Sequence, residues 1–295
     1  MSTVLQATGL TKDFGNNRGI FDVDLTVNAG EIVGFVGPNG AGKSTTINLL
    51  AGLVKADRGT ITLFGQTVTS TSIYKLMPQI GLLLSESTLD QHSTAAKTFR
   101  QNQELLGRGN DAAWQDMAKS LSLDVNKPIK KLSLGNKKKV GVINALQHQP
   151  KLVIMDEPTS GLDPIIQAKF SQMLRHITKS GGAVFLSSHD LDEIQHVCDR
   201  IVMIRGGKVI LVDSTESLLE KASKVFTLKH PPAALVSKIK ATFPNLTTKH
   251  SNSDLIVYTT EYRELIKLLA GQKFYDFLVE RPNLEEMFKE YYEQA

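Results

Sequence analysis

The sequence predicts an α/β fold built around buried parallel strands, followed by a smaller α+β region. Three observations predict it. The apolar run Ile32–Val36 leads through a glycine-rich turn, Gly37–Gly42, into the helix-like Ser44–Leu50. A second apolar run, Leu152–Met155, ends in the acidic pair Asp156-Glu157. A third, Ala183–Leu186, follows the helix-like Ile165–Thr178, so that buried strands alternate with helices as parallel sheets require.

Taken in order, Val4–Gln6 and Val23–Val27 read as short strands, with the turn-forming Gly15-Asn16-Asn17 between them. Ile61–Phe64 reads as another strand, near Gly59 and Gly65. From about Ser93 to Leu121 the pattern is helical, with Leu105, Leu106, Trp114 and Met117 as its apolar positions. Trp114 is most simply a packing residue. Ile201–Ile204 and Val209–Val212 flank Gly206-Gly207 and read as a hairpin. After about Ser217 the character changes. Strand-like Val225–Leu228 precedes a helical stretch whose Leu235, Val236, Ile239 and Phe243 share one face. Leu255–Thr259 is strand-like, Tyr262–Leu269 helical and Phe274–Val279 strand-like, and Asn283 is placed to cap a last helix with Glu286 three residues on. The expectation is a main domain over 1–216 and a small α+β domain over 217–295.

Composition is that of an ordinary soluble globular chain: 295 residues, 41% hydrophobic and 22% charged. The net charge of +4, from 34 basic and 30 acidic residues, is too small and too scattered to indicate nucleic acid. It suits an anionic membrane surface equally well. A single cysteine, Cys198, excludes an internal disulfide, agrees with a reducing cytosol, and reads as a small buried apolar residue. The first residues carry no signal-peptide pattern, and no run approaches the roughly 18 apolar residues of a membrane span. Any membrane process served by this protein would need another chain to cross the bilayer.

Gly37-Pro38-Asn39-Gly40-Ala41-Gly42-Lys43-Ser44 fits G-x-x-x-x-G-K-S/T between a strand and a helix. Glycines there let backbone N–H groups curl around phosphate oxygens, and the helix directs its N-terminus at the same anion. Lys43 would reach the β- and γ-phosphates and the Ser44 hydroxyl would bind Mg²⁺. Asp156, at the C-terminal tip of a buried strand, stands where open α/β sheets hold ligands and can hold Mg²⁺ directly or through water. Glu157 is placed to orient or deprotonate an attacking water. Leu132-Ser133-Leu134-Gly135-Asn136 is weak alone, since a helix N-cap accounts for it; its weight comes from lying 24 residues before Asp156. His189, after the strand Ala183–Leu186, could contact a γ-phosphate.

With these motifs together, residues 3–215 resemble the ATP-binding subunit of an ABC transporter. The resemblance implies a P-loop ABC ATPase cassette: a RecA-like core, an antiparallel β subdomain and a helical subdomain at about 88–140, with ATP and Mg²⁺ as cofactors. It implies that Gly37–Thr45 is the Walker A loop, so that Gly37, Pro38, Asn39, Gly40, Ala41, Gly42, Lys43, Ser44 and Thr45 bind ATP. Leu152–Asp156 becomes the Walker B strand, Glu157 the catalytic glutamate, Ser160–Asp163 the D-loop and His189 the switch histidine. Phe14 matches the aromatic that stacks on adenine. Ser133, Leu134, Gly135 and Asn136 correspond to the signature that covers the ATP of a second ATPase subunit, identical or different.

Two positions depart from the family. The usual LSGGQ is LSLGN here, a form similar to the subgroup that exports antibiotics and peptides, including bacitracin-type systems. Alignment on Ile80-Gly81 puts Ser85, beside Glu86, where the family has a glutamine that senses Mg²⁺ and contacts the membrane subunit. The segment Phe277–Phe288 resembles the tail of the same exporter-type ATPases, and Lys137-Lys138-Lys139 reads as a solvated helix face. The implied protein is an exporter ATPase acting as a head-to-tail dimer, cytoplasmic and peripheral on the inner face of the membrane. Its partner would be a separate integral membrane permease, with no nucleic acid. Two alternatives stand beside it: a regulatory or sensor ATPase with weak turnover, and a soluble ABC-type ATPase acting on nucleic acid or ribosomes.

Overall fold

The computed structural model describes residues 2–69, 71–85, 89–244, 246–251, 253–272, 275–280, 284 and 288. They fall into two compact units, 1–214 and 215–295, the second beginning where a helix starts at Thr215.

The first unit opens with strands β1 (Thr3–Asp13) and β2 (Gly19–Asn28), which pair antiparallel and bury Leu5, Leu10, Val23 and Val27. β1 runs well past Gln6, because Gly9 takes a φ of 59° and a register shift between Ala7 and Leu10 lets a polar stretch continue the pairing. The strands β4 (Arg58–Leu63) and β5 (Gln66–Thr67) complete a sheet of order β2-β1-β4-β5.

The larger sheet contains β3 (Ile32–Val36), followed by helix α1 (Lys43–Leu50), and β6 (Ile80–Leu83), which follows the short helix α2 (Ile73–Leu76). The helical pattern between Ser93 and Leu121 forms two helices, α3 (Ala95–Leu106) and α4 (Asp111–Ser120). Gly107, at a φ of 61°, ends the first, and the Asn110 side chain caps the second. Trp114 is buried against Phe99, with ring centroids 5.5 Å apart, whereas Leu105 is 84% exposed and so is no packing position. Helix α5 (Leu134–Leu146) precedes β7 (Leu152–Asp156), then come α6 (Pro164–Lys179), β8 (Ala183–Ser188), α7 (Leu191–Val197), β9 (Arg200–Arg205) and β10 (Lys208–Ser214). The order is β10-β9-β3-β8-β7-β6, parallel except for the β9–β10 hairpin. Strands β3, β7 and β8 are buried at every position, the mark of a sheet covered on both faces.

The second unit holds α8 (Thr215–Lys221), β11 (Lys224–Lys229), α9 (Ala233–Thr242), β12 (Thr247–Ser251), β13 (Asp254–Thr259), α10 (Tyr262–Leu269) and β14 (Asp276–Glu280). After α8 the sequence is β-α-β-β-α-β and the antiparallel order is β12-β13-β11-β14, a split β-α-β arrangement. Phe226, Leu228, Leu235, Ile239, Leu255, Val257, Leu265 and Leu269 form its core. The last strand lies at Asp276–Glu280; Phe274, and the cap expected from Asn283 and Glu286, lie outside the described residues.

Candidate nucleotide site

Register assembles the site. In the parallel sheet Val36 stands opposite Ser188, Asp156 opposite Ser187, and Leu83 opposite Met155. Four strands therefore end together, and the segments that follow β3, β6, β7 and β8 leave from one edge, the C-terminal edge where such sheets carry ligands.

The loop after β3 is shaped by what its glycines exclude. A Cβ on Gly37 would come 2.3 Å from the carbonyl oxygen of Ile204, and Gly42 holds a φ of 113° at the head of α1. Pro38, Asn39 and Gly40 are exposed, as is Ser44, while Ala41 is buried. Lys43 is 7% exposed, and its ammonium donates to the carbonyl of Gly37 at 2.7 Å and of Pro38 at 3.3 Å. Its Nζ lies 3.9 Å from Glu157 Oε1. Burial pulls the Lys43 pKa below its ordinary value, and the Glu157 and Asp156 carboxylates act against that. The result is a cation held at a sheet edge on carbonyl oxygens that an anionic ligand can replace.

Asp156 is 2% exposed, yet each carboxylate oxygen accepts a hydroxyl: Oδ1 from Ser187 at 2.5 Å and Oδ2 from Ser85. Ser187 also accepts from the Glu157 backbone N–H at 3.1 Å, so one hydroxyl serves both acidic residues. Glu157 sits at a φ of 48°, a costly conformation for a residue with a side chain, which turns the chain sharply at the strand tip. Its Oε2 lies 2.8 Å from Nδ1 of His189, whose ring is largely exposed. Lys43, Asp156, Glu157 and His189 are thus brought together.

The remaining expected positions lie in two further places. Ser133 caps α5, accepting from the Asn136 N–H at 3.3 Å, and Leu134 beside it is 78% exposed. A Cβ on Gly135 would stand 2.9 Å from the Gly161 carbonyl oxygen, so the start of α5 and the segment containing Ser160–Asp163 are in close contact. Asp163 caps α6 by accepting from Ile166 N–H at 3.0 Å. Phe14 is exposed, with the Lys12 ammonium 5.6 Å from its ring centroid.

Four further side chains act on this cluster, and of them only Ser85 stands at a motif position. Ser85 and Ser187 hold Asp156. Glu193 accepts from Thr159 at 2.6 Å and from Ser188 at 3.1 Å. Lys138 is half-buried, and its lowered pKa comes first from that burial, opposed by attraction to Asp156 and Glu157. Lys138 therefore departs from the solvated face expected for Lys137-Lys138-Lys139; of its neighbours, Lys137 bonds Gln91 at 3.1 Å. Ser187, Glu193 and Lys138 are of types too common for sequence spacing to single out.

A sequence model of the ABC transporter family matches residues 20–160. The chain is 31% identical to an uncharacterized ABC transporter ATP-binding protein, YhcH of Bacillus subtilis, over 98% of this chain and 96% of that protein. It is 34% identical to the bacitracin transport ATP-binding protein BcrA of Bacillus licheniformis, over 71% and 69% respectively. It is 30% identical to the Nod factor export ATP-binding protein I of Burkholderia lata, over 94% of this chain and 93% of that protein. In structure, residues amounting to 72% of this chain superpose on 98% of a bacterial ABC transporter cassette solved as a dimer, with a TM-score of 0.66 at 23% identity.

Proposed function

The chain belongs to the ABC transporter ATP-binding proteins, and from that premise we propose that it binds and hydrolyses ATP to drive an exporter whose membrane permease is a separate chain. The carrying observation is the convergence of Lys43, Asp156, Glu157 and His189 at one sheet edge. Export is supported by relatives named for bacitracin transport and Nod factor export. Among the described residues no helix is long and apolar enough to cross a membrane, and a permease would place this subunit on the inner, cytoplasmic face.

ATP phosphates would lie in the loop from Gly37 to Thr45, with Lys43 exchanging its carbonyl partners for phosphate oxygens. Phe14 would offer its exposed ring to adenine. Ser44 and Asp156 supply hydroxyl and carboxylate oxygens, the hard donors that suit Mg²⁺, which when bound neutralises phosphate charge. Glu157 would take the proton of the attacking water, and His189, bonded to it through Nδ1, would stand beside the γ-phosphate. Two hydroxyls on Asp156 keep that carboxylate fixed while the nucleotide changes.

Ser133, Leu134, Gly135, Asn136 and Asp163 would serve a second ATPase subunit docked head-to-tail, for which the exposure of Ser133 and Leu134 gives room. Closure of the two subunits on ATP would move the permease, and hydrolysis would release them. Glu157→Gln in the purified full chain with MgATP should lower turnover by about 10²–10⁴-fold with ATP still bound. Undiminished turnover would remove Glu157 from the role of base.

A further inference from the structure

Glu157 and His189 sit on different segments, which leave the sheet from β7 and β8. Two residues beyond Glu157, Thr159 is buried, and its hydroxyl donates to Oε2 of Glu193 at 2.6 Å. One residue before His189, Ser188 is also buried, and its hydroxyl donates to the same Oε2 at 3.1 Å. Glu193 itself is fixed: Asp190 caps α7 by accepting from the Glu193 N–H at 3.1 Å, and the Asp190 N–H donates to Ser188 Oγ at 3.0 Å. One carboxylate oxygen therefore ties together the segments that carry the base and the histidine.

A side chain that only filled space would not need its oxygens. Oε1 of Glu193 is buried with no hydrogen-bond partner among the described residues, a costly arrangement for packing alone. An apolar residue of similar size would pack there without that cost. Retention of a carboxyl is explained if Oε2 has to accept two hydroxyls at once.

We propose that Glu193 is a positioning residue, a clamp that holds Glu157 and His189 in one geometry so that they engage the γ-phosphate together. The proposal rests on the catalytic reading of Glu157 and His189 given above. The Glu193 carboxylate bonds Thr159 and Ser188 and acts on Glu157 and His189 through them. Because the clamp orders groups for the chemical step, its loss lowers kcat and leaves ATP binding at Lys43 in place.

Four variants of the purified full chain test this with MgATP: Glu193→Ala, Glu193→Gln, Thr159→Val and Ser188→Ala. Nucleotide affinity is measured separately with a fluorescent ATP analogue, and Tm by calorimetry. Glu193→Ala should lower kcat about ten- to a hundred-fold with KM and analogue affinity within about twofold of the parent. Thr159→Val and Ser188→Ala each remove one tie and should fall between parent and Glu193→Ala. Glu193→Gln keeps an oxygen that accepts both hydroxyls, so it should recover at least about a third of parental kcat. An unchanged kcat in Glu193→Ala overturns the clamp, as does a loss of kcat, affinity and Tm in parallel. If Glu193→Ala fails to fold, unchanged kcat in both Thr159→Val and Ser188→Ala overturns it alone. Glu157→Gln run beside them separates the two ideas: if that variant turns over ATP normally, the catalytic reading fails; if it is inactive while the clamp variants are normal, only the clamp fails.

Discussion

The sheet edge of the first unit and the core of the second solve opposite problems. The second unit buries apolar side chains and leaves its charges outside: Phe226, Leu228, Leu255 and Val257 line one sheet face, while Lys229 meets Asp254 at 2.6 Å and Lys267 meets Glu264 at 2.7 Å near the surface. The first unit buries Lys43 and Asp156 at a strand edge and satisfies them with serine hydroxyls and backbone carbonyls. A core of the first kind tolerates any good packing. A polar cluster of the second kind is worth having only if each group has its partner.

Breaking the apolar side of that comparison should give the largest effect on stability. Phe226→Ala, at a residue with no exposed surface, should destabilise the second unit by about 3–5 kcal/mol. Calorimetry should show its transition moved to lower temperature, with affinity for ATP unchanged. A matching loss of ATP binding would show that the two regions are not independent.

On the polar side, Ser187→Ala removes a donor to Asp156 and an acceptor for the Glu157 N–H. The orphaned groups should cost about 1–3 kcal/mol, felt as a fall in ATP turnover of roughly ten-fold or more with little change in KM. Ser85→Ala removes only the donor to the other oxygen, and steady-state kinetics should place it between Ser187→Ala and the parent.

The smallest effect is a slope with pH. Burial raises the Glu193 pKa above its ordinary 4.5, with the nearby Asp190 and Glu157 carboxylates pushing the same way and the hydroxyls of Thr159 and Ser188 opposing. The native state keeps this proton over a window in which the unfolded chain has lost it. Stability contributed by Glu193 therefore falls as pH rises through that window. Glu193→Gln has no such proton, so its Tm minus that of the parent should climb as pH rises above about 4.5 and then level off. A flat difference would show that this carboxyl ionises alike in both states.

Much of this was legible beforehand, for reasons particular elements make clear. The bounds of Ile32–Val36 are legible in sequence, because a fully buried parallel strand is a plain apolar run between turn residues. Strand β6 and the far half of β1 are not, since four residues in one case and a bulged polar stretch in the other carry no periodicity. The helical pattern after Ser93 does not itself show a break, which Gly107 and Asn110 make between two helices. At the site, Lys43, Asp156, Glu157 and His189 were visible as motif residues. Ser85, however, looked only like a shortened glutamine, and the bond it makes to Asp156 has no sequence counterpart.

The alternation of buried strands and helices, the phosphate loop and the acidic strand tip are all written in the order of residues along the chain. Each of these is local: a few neighbouring residues set the pattern, and the physics of burial or phosphate binding demands those residue types at that spacing. Which common side chains complete the site depends on how the strands pair. Ser85, Asp156 and Ser187 meet because β6, β7 and β8 are parallel neighbours in register, and Thr159, Ser188 and Glu193 meet at the same edge. Such meetings depend on the pairing of strands far apart in the chain, and no local pattern records them.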